Sequence, residues 1–359
     1  MLKSKSLAFA LLALAAFPAA AQNYKIAVIG LVHGHVWGHL PEMAKGESAK
    51  LVGIAETIPE LVADARKVAG DSVPIYSDYK KMLDERKPDI VWAFVENNRH
   101  REIVEACAPR KINVIFEKPL AATYKDALAM RDLAAKYGIK VMCNYQMAWW
   151  PANYAAKKEA DAGSIGQVWR LRGLVGHGGP GNTGTDKYFF DWLTDPDKNG
   201  AGALMDFGCY NALWGLWYLG QPESVYAEVT HLRPETFPKV EDSSTLMLHW
   251  KNAEGVFEGS WDLPRGFQDL EVFGRAGSVY MTQRKVELRR GSRPAADVAM
   301  EPLPPERAAP VAFMVDAIRN NKPIEGLTAL DVNVGVVEII EAAKESVRTG
   351  RAVKLPLPK

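Results

Sequence analysis

Residues 112–119 read Ile-Asn-Val-Ile-Phe-Glu-Lys-Pro, and this segment decides the fold class. The apolar run predicts a buried β-strand, which Pro119 ends because proline fixes φ and has no backbone N–H. In an open α/β sheet, ligands bind at the carboxyl ends of the strands, where Lys118 stands. Glu117 favours a charged lysine, whereas burial beside a cofactor would lower the lysine pKa toward the range useful for proton transfer. We therefore expect both side chains to face a cofactor; the alternative is a solvated surface pair.

A glycine-containing turn follows the first predicted strand, Tyr24 to Ile29. Gly30, Gly34 and Gly38 let the backbone approach a phosphate where a helix begins, and the free amides of a helix N-terminus favour an anion. The spacing in residues 30–38, GLVHGHVWG, departs from the usual G-x-G-x-x-G. The turn therefore predicts a dinucleotide site of unusual sequence.

The second predicted strand, Ala49 to Ala55, ends at Glu56, 26 positions after Gly30. An acidic residue in this place accepts a hydrogen bond from a ribose 2′-hydroxyl. A carboxylate also repels a 2′-phosphate, so Glu56 favours NAD over NADP as the cofactor. The alternative is an ordinary solvated glutamate.

Strands and helices alternate through residue 144. A strand from Ile90 to Val95 leads into Glu96, Asn97, Asn98 and His100, polar side chains that again indicate a ligand at the sheet edge. The alternation predicts an α/β fold with a parallel, doubly wound sheet. The other predicted elements are helices at 77–86, 101–108 and 125–137 and a strand at 140–144.

Three further motifs accompany the glycine turn: PDIVWAFVENNRH at 88–100, EKPLA at 117–121 and GAGALMDFGCYNALWGLWYLG at 200–220. In this order they resemble the Gfo/Idh/MocA family, relatives of glucose-fructose oxidoreductase and inositol dehydrogenase, over essentially all of the chain after residue 21. The resemblance implies an N-terminal Rossmann domain, 22–145, and a substrate-binding α+β domain, 146–359, whose large open antiparallel sheet carries the sugar site. It also implies that Lys118 assists proton transfer while hydride passes to or from a nicotinamide.

The resemblance further assigns Asp206 and Tyr210 to the catalytic and substrate site. Their i, i+4 spacing predicts that they share one face of a helix and meet a single substrate. Because a phenol has a pKa near 10, acid–base duty falls to either Tyr210 or Lys118. The alternative is that Tyr210 is a packed aromatic residue of its helix.

Histidines in the glycine turn depart from the family pattern, which usually has small residues there. His33, His35 and the nearby His39 raise the question of a metal site, but a histidine pair separated by one residue is unusual for zinc. We expect no metal, with His33 and His35 lining the pyrophosphate pocket or packing against the loop. The segment Asn144-Tyr145-Gln146-Met147 lacks the arginine common in the family, which makes a carboxylated substrate doubtful.

The second half is predicted to hold the substrate. His177 begins the glycine-rich loop 177–181 and is a candidate contact for a sugar hydroxyl. Trp192 is a candidate platform for a sugar ring, although core packing is the default for tryptophan. The pattern predicts strands at 165–175, 226–230, 244–250, 255–261, 269–273 and 278–281, an exposed loop at 289–305, and helices at 151–162, 309–320 and 330–348.

Composition limits the remaining possibilities. A chain of 359 residues predicts two domains, and 48% apolar residues supply their cores. The net charge of +1 gives no reason to expect a nucleic-acid partner. Three cysteines, an odd number within apolar segments, make a disulfide framework improbable.

The first 21 residues have the pattern of a secretory signal peptide. Lys3 and Lys5 precede an apolar run from Leu7 to Phe17, which is too short to span a membrane, and Ala19-Ala20-Ala21 forms a cleavage site. We expect export to the periplasm and no membrane span after removal of this peptide.

These observations predict an exported NAD(P)-dependent oxidoreductase that acts on a sugar or polyol with a tightly bound nicotinamide. One alternative is an NAD-dependent glycosidase that oxidises a sugar carbon transiently and eliminates the glycosidic group. The other is a sugar-binding protein without turnover, which the unusual glycine turn favours. The resemblance implies a homo-oligomer formed through the C-terminal sheet.

Overall fold

The computed structural model describes residues 24–181 and 186–358, so the predicted signal peptide, residues 1–21, lies outside the described residues. These residues form one sheet of six strands and one of nine. No helix within the two described ranges is long and apolar enough to cross a membrane.

The six-stranded sheet is wholly parallel, in the order β3-β2-β1-β4-β5-β6, which confirms the predicted Rossmann fold. Strand order reverses between β1 and β4, and ligands bind at the carboxyl ends of strands beside such a reversal. The strands are β1 Lys25–Ile29, β2 Lys50–Ala55, β3 Ile75–Tyr76, β4 Ile90–Ala93, β5 Asn113–Glu117 and β6 Val141–Asn144. The helices are α1 Val36–Lys45, α2 Pro59–Ala69, α3 Tyr79–Arg86, α4 His100–Cys107 and α5 Tyr124–Tyr137.

Burial on both faces explains the continuous apolar strands of this sheet. Ala27 and Ile29 enter one hydrophobic core, whereas Ile26 and Val28 enter the other. Successive side chains of a strand point to opposite faces, so a sheet covered by helices on both sides needs apolar residues at every position. The sequence pattern of these strands is therefore a continuous run of apolar residues, with no alternation of apolar and polar positions.

The nine-stranded sheet has the order β14-β13-β12-β11-β7-β10-β9-β8-β15. The prediction of a large antiparallel sheet is confirmed with one correction, because β7 and β10 pair in parallel. The strands are β7 Val168–Gly176, β8 Ser224–Thr230, β9 Ser243–Trp250, β10 Ala253–Ser260, β11 Phe267–Gly274, β12 Gly277–Thr282, β13 Lys285–Arg289, β14 Ala296–Asp297 and β15 Val353–Lys354. The helices are α6 Pro151–Asp161, α7 Lys187–Leu193, α8 Pro196–Asn199, α9 Ala203–Asp206, α10 Gly208–Leu219, α11 Pro310–Arg319 and α12 Leu330–Thr349.

One face of this sheet is covered and the other is open. In β9, Leu246 and Leu248 are buried on the side of α10 and α12, whereas Met247 points outward and is 48% exposed. This alternation is the period-2 pattern that predicted the strands.

Two segments differ from the expectations or extend them. The predicted loop 289–305 contains the end of β13 and all of β14, whose two residues are exposed as an edge strand. Helix α11 places Phe313 and Met314 in the same apolar core as Ile26 of β1. The chain therefore returns to the parallel sheet after completing the second one.

Candidate active site

Lys118 leaves the carboxyl end of β5 and is buried, with 5% of its surface exposed. Its ammonium forms an ion pair with the Asp206 carboxylate, and its Nζ lies 3.3 Å from the Asp206 carbonyl oxygen. Burial alone would lower the lysine pKa, but Asp206 raises it above its ordinary value. The sequence analysis weighed a neighbouring Glu117, which favours the charged lysine, against burial, which lowers its pKa; the structure adds a counter-charge that it did not name, Asp206 from the second domain.

Asp206 is held from both sides. Its Oδ2 accepts a hydrogen bond of 2.8 Å from the Trp261 indole N–H. Burial would raise the pKa of this carboxyl, but Lys118 and Trp261 hold it below the ordinary range. Asp206 is therefore ionised. The sequence did not identify Trp261, which lies one residue beyond β10 and carries no local signal of this contact.

Tyr210 lies beside the same ion pair. The predicted single helix is interrupted at Phe207, so Asp206 ends α9 whereas Tyr210 lies in the first turn of α10. The two nevertheless converge, because Lys118 Nζ is 5.3 Å from the centroid of the Tyr210 ring. Burial raises the pKa of the phenol above its ordinary value, so Tyr210 is protonated.

A cavity of about 350 Å³ opens above these groups. His177 lines it, and the His177 Nδ1 accepts a hydrogen bond of 2.9 Å from the Gly179 amide. Burial lowers the pKa of His177, so the ring is neutral and its proton is on Nε2 as a donor. Trp192 is not among the cavity-lining residues; it is 2% exposed and donates to the Val32 carbonyl at 3.1 Å. The role of Trp192 is thus packing rather than substrate contact.

A second cavity, of about 460 Å³, adjoins the first. The two share His177, Phe207 and Gln268 in their walls. The far wall carries Arg265 and Arg284. The site therefore has room beyond the position of a single reacting group.

The predicted ribose site lies at the end of β2. Oε2 of Glu56 accepts a hydrogen bond of 2.8 Å from the Leu31 amide, and Oε1 accepts from Thr57 and Ile58 at 2.6 and 3.0 Å. Glu56 lines a cavity of about 240 Å³ together with Gly30 and Glu96. Oε1 already accepts two hydrogen bonds, whereas Oε2 accepts one and retains a lone pair for a ribose hydroxyl.

Gly30 is fixed by its surroundings. Its φ is +75°, and a Cβ there would lie 2.5 Å from Val95 Cγ1. Glycine is thus required where the loop passes the sheet edge. The glycine turn, α1 and Glu56 together fit the adenosine and pyrophosphate of a dinucleotide.

Three residues predicted to bind the cofactor make hydrogen bonds within the protein. Asn97 donates to Oδ1 of Asn199 at 2.7 Å, and Asn98 donates to the Asp197 carbonyl at 3.1 Å. His100 is wholly buried, stacks on Phe116, and donates from Nδ1 to the Leu120 carbonyl at 3.0 Å. Burial lowers the His100 pKa to about 4, so the ring is neutral.

The histidines of the glycine turn converge on Glu117, a contact that the sequence analysis did not predict. His35 Nδ1 lies 2.8 Å from Glu117 Oε2, and Asn144 donates to Oε1 at 2.8 Å. His35 also lines the catalytic cavity. His33 is 1% exposed, and its ring centroid lies 4.7 Å from that of Phe189. His33 therefore packs within the protein, whereas His35 faces the cavity.

Phe189 of α7 covers Gly34. A Cβ at Gly34 would lie 2.9 Å from Phe189 Cδ1, so the turn and α7 are in close contact. No sequence signal indicated this contact, because α7 itself was not predicted. The second domain thus helps to enclose the dinucleotide loop.

Comparison with known proteins agrees with this architecture. Residues 24–145 match the family model described as oxidoreductase family, NAD-binding Rossmann fold, and residues 154–280 match the GFO/IDH/MocA C-terminal domain. Levoglucosan dehydrogenase of Pseudarthrobacter phenanthrenivorans is 29% identical over 324 residues, covering 80% of this chain and 78% of that protein. Myo-inositol 2-dehydrogenase of Thermotoga maritima is 25% identical over 263 residues, covering 71% of this chain and 74% of that protein.

Solved structures share the fold. Aldose-aldose oxidoreductase from Caulobacter crescentus, complexed with glycerol, superposes with a TM-score of 0.80 at 24% identity, covering 93% of this chain and 100% of that one. A levoglucosan dehydrogenase complex with NADH and levoglucosan gives a TM-score of 0.76 at 23% identity, covering 94% and 100%. With both family models matched in order, the chain belongs to the Gfo/Idh/MocA family of oxidoreductases and carries its NAD-binding Rossmann domain.

Proposed function

We propose that the protein transfers hydride between a carbon of a sugar or polyol and a nicotinamide held by the Rossmann domain. The observation that carries this proposal is the meeting of Lys118, Asp206 and Tyr210 at one cavity. Bound nicotinamide supplies the hydride acceptor or donor. The relatives named above are dehydrogenases of levoglucosan and myo-inositol, which supports this substrate class.

Lys118 and Tyr210 handle the proton that accompanies the hydride. Both are protonated, because Asp206 raises the pKa of the ammonium and burial raises that of the phenol. During reduction of a carbonyl they stabilise the negative charge that develops on oxygen, and one of them gives up its proton. During oxidation that group must first lose its proton, so we expect oxidation to become faster as the pH rises.

NAD is the preferred cofactor in this proposal. Glu56 is fixed beside Gly30 by three backbone amides, so its charge stays where a ribose 2′-substituent would lie. A hydroxyl there gains a hydrogen bond, and a phosphate is repelled. The amides at the start of α1, after His33, Gly34 and His35, would hold the pyrophosphate.

We place the mature protein outside the cytoplasm, in the periplasm, on the basis of the signal-peptide pattern in residues 1–21. An exported enzyme of this kind needs a cofactor that stays bound between turnovers. Intact-mass measurement of the native protein tests the location: cleavage after Ala21 is the expected result, and a cytoplasmic species that begins at Met1 contradicts it.

A glycosidase that uses bound NAD for transient oxidation is the second candidate. The cavity beyond His177 and Phe207 supports it, because a glycoside carries a group outside the reacting ring. The two candidates share Lys118 and Tyr210. They differ in product, since the glycosidase alone releases the glycosidic substituent.

We also propose assembly into a homo-oligomer through the open face of the nine-stranded sheet. Met247, 48% exposed in β9, is a large apolar residue on that face. Met247→Lys is expected to shift the protein toward monomer in light scattering. A wild-type monomer at micromolar concentration contradicts the proposal.

The proposed function is tested in two steps on protein purified from its native compartment. Mass spectrometry of the denatured protein is expected to detect a released nicotinamide dinucleotide. The native protein is then mixed with a panel of sugars, polyols and glycosides while the absorbance of reduced nicotinamide is followed. A missing dinucleotide together with an unchanged spectrum across the panel would favour a sugar-binding protein without turnover.

A further inference from the structure

His33, His35 and Glu117 form a cluster of metal-binding donors that lies outside the proton-transfer machinery. One nitrogen of each imidazole and one carboxylate oxygen lie within 4.8 Å of one another. His33 and Glu117 are each 1% exposed. Against the expectation of no metal drawn from the sequence, we propose that these three side chains bind one divalent transition-metal ion. The proposal goes beyond the hydride-transfer function and does not depend on it.

The donor set selects the class of metal. Two imidazole nitrogens and one carboxylate oxygen suit zinc and its neighbours among the first-row divalent ions, whereas magnesium and calcium prefer oxygen ligands. In a tetrahedral zinc site the ligand atoms stand roughly 3.3 Å apart, given metal–ligand bonds near 2 Å. His35 Nδ1 and Glu117 Oε2, at 2.8 Å, need to separate slightly, and the His33 nitrogen, which lies within 4.8 Å of both, needs to approach by at most about 1.5 Å.

Neighbouring groups hold the donors in place. Glu117 ends β5, and Asn144 at the end of β6 donates to its Oε1 at 2.8 Å. Asn144 in turn accepts a hydrogen bond of 2.8 Å from the Trp149 indole. Outer groups of this kind orient the ligands in metal sites. His33 is fixed by packing, with its ring centroid 5.4 Å from that of Trp192.

The charge balance at this place favours a cation. Lys118 neutralises Asp206, and Glu117 contributes a further buried negative charge beside them. A buried charge without a partner is costly. A metal ion would supply this positive charge, and direct pairing of His35 Nδ1 with Glu117 Oε2 at 2.8 Å is the competing explanation.

The remaining coordination position faces the catalytic cavity, because His35 lines that cavity. Three protein ligands and one open position are the arrangement of zinc sites that bind an exogenous oxygen ligand. Such a position would take a water molecule or an oxygen of a molecule bound in the cavity.

Cobalt(II) is the probe for the test, because it occupies zinc sites and its visible spectrum reports coordination. The full mature chain is dialysed against a chelator and titrated with Co²⁺ and, separately, with Zn²⁺ by calorimetry. We expect one equivalent to bind, with Glu117→Gln and His33→Gln weakening the affinity at least ~10-fold. His249→Gln is the matched control, because His249 is an exposed histidine of β9.

Circular dichroism of each metal-free variant checks its fold, and His33→Gln is decisive if Glu117→Gln is misfolded. A wild-type protein that takes up no Co²⁺ or Zn²⁺ overturns the proposal and leaves the ion pair as the account. Unchanged affinity in folded Glu117→Gln or His33→Gln also overturns it, because the ion then sits elsewhere. Turnover is not a readout, so this result is independent of the proposed function.

Discussion

The two sides of the catalytic cleft differ in how their charges are balanced. On the Lys118 side, the ammonium pairs with Asp206, and Trp261 satisfies the second carboxylate oxygen. On the glycine-turn side, His35 and Asn144 gather around Glu117. Lys118 and Glu117 are neighbours in the EKPLA segment, but only the second arrangement also uses a histidine of the glycine turn. The comparison teaches that one buried carboxylate is balanced by a lysine from the other domain, whereas the other is surrounded by an imidazole and an amide.

The largest expected effect tests the chemical role of the Lys118 side. Lys118→Met should reduce turnover by ~100-fold or more with the dinucleotide still bound, the usual scale for loss of a general acid or base. Tyr210→Phe should cost less if the phenol only orients the substrate, and about as much if it donates the proton. Steady-state kinetics on an identified substrate measure both.

Lys80→Met is the control, because Lys80 is exposed on α3. Near-normal turnover of both active-site variants would end the assignment and shift attention to His177 and His35.

The second prediction concerns the ion pair itself. Asp206→Asn leaves the Lys118 ammonium buried without its counter-charge, so the free energy of unfolding should fall by about 3–5 kcal/mol. The double variant with Lys118→Met should recover part of this loss, because the uncompensated charge is gone. Urea denaturation of the three variants measures the coupling. Purely additive effects would contradict a direct pairing of the two groups.

The third prediction concerns His100, a buried histidine that stacks on Phe116 of β5, the strand that leads to Lys118. Its folded pKa of about 4 lies below the ordinary value of 6.5, so between these values the unfolded chain binds more protons. The contribution of neutral His100 to stability is therefore complete above pH 6.5 and is lost as the pH falls toward 4. The loss amounts to roughly 3 kcal/mol.

Denaturation at a series of pH values should show a flatter profile for His100→Gln than for the wild type in this window. His249→Gln, at an exposed site, should keep the wild-type slope. Equal slopes in all three proteins would show that His100 is not held neutral by burial.

The smallest effect concerns the cofactor on the glycine-turn side. Glu56→Ala should reduce the preference for NAD over NADP by about 10-fold, or 1.4 kcal/mol, because the repulsion of a 2′-phosphate is removed. Titration of both dinucleotides into stripped protein measures the preference. Glu60→Ala on α2 is the exposed control. Tighter binding of NADP to the wild type would contradict the predicted preference for NAD. An unchanged preference in Glu56→Ala would show that Glu56 does not cause it.

Local patterns in the sequence were enough for the parts of the site that sit at strand ends. Lys118 after β5, Glu56 after β2 and Gly30 after β1 each follow an apolar run, and the structure puts all three at the ligand edge of the parallel sheet. Asp206 and Tyr210 were identified as site residues only through the resemblance to a family. The period-2 pattern likewise identified most strands of the second sheet.

The partners of these residues could not be predicted from local pattern. Asp206 lies 88 positions from Lys118 in the sequence, and Asn199, the hydrogen-bond partner of Asn97, lies 102 positions from it. A polar residue after a strand indicates only that its side chain needs a hydrogen-bond partner. Which residue supplies that partner depends on tertiary packing. For this reason the sequence predicted Asn97, Asn98 and His100 as ligand contacts but did not predict their hydrogen bonds to distant segments of the protein.

The central claim is hydride transfer at the Lys118 wall, and isotope transfer tests it most directly. Candidate sugars and polyols carrying deuterium on their hydroxyl-bearing carbons are incubated with the native protein, and the released dinucleotide is analysed by mass spectrometry. The account predicts that one such substrate passes deuterium to the nicotinamide, and that Lys118→Met shows far slower transfer. A bound dinucleotide that gains no deuterium from any substrate the protein binds would contradict the account.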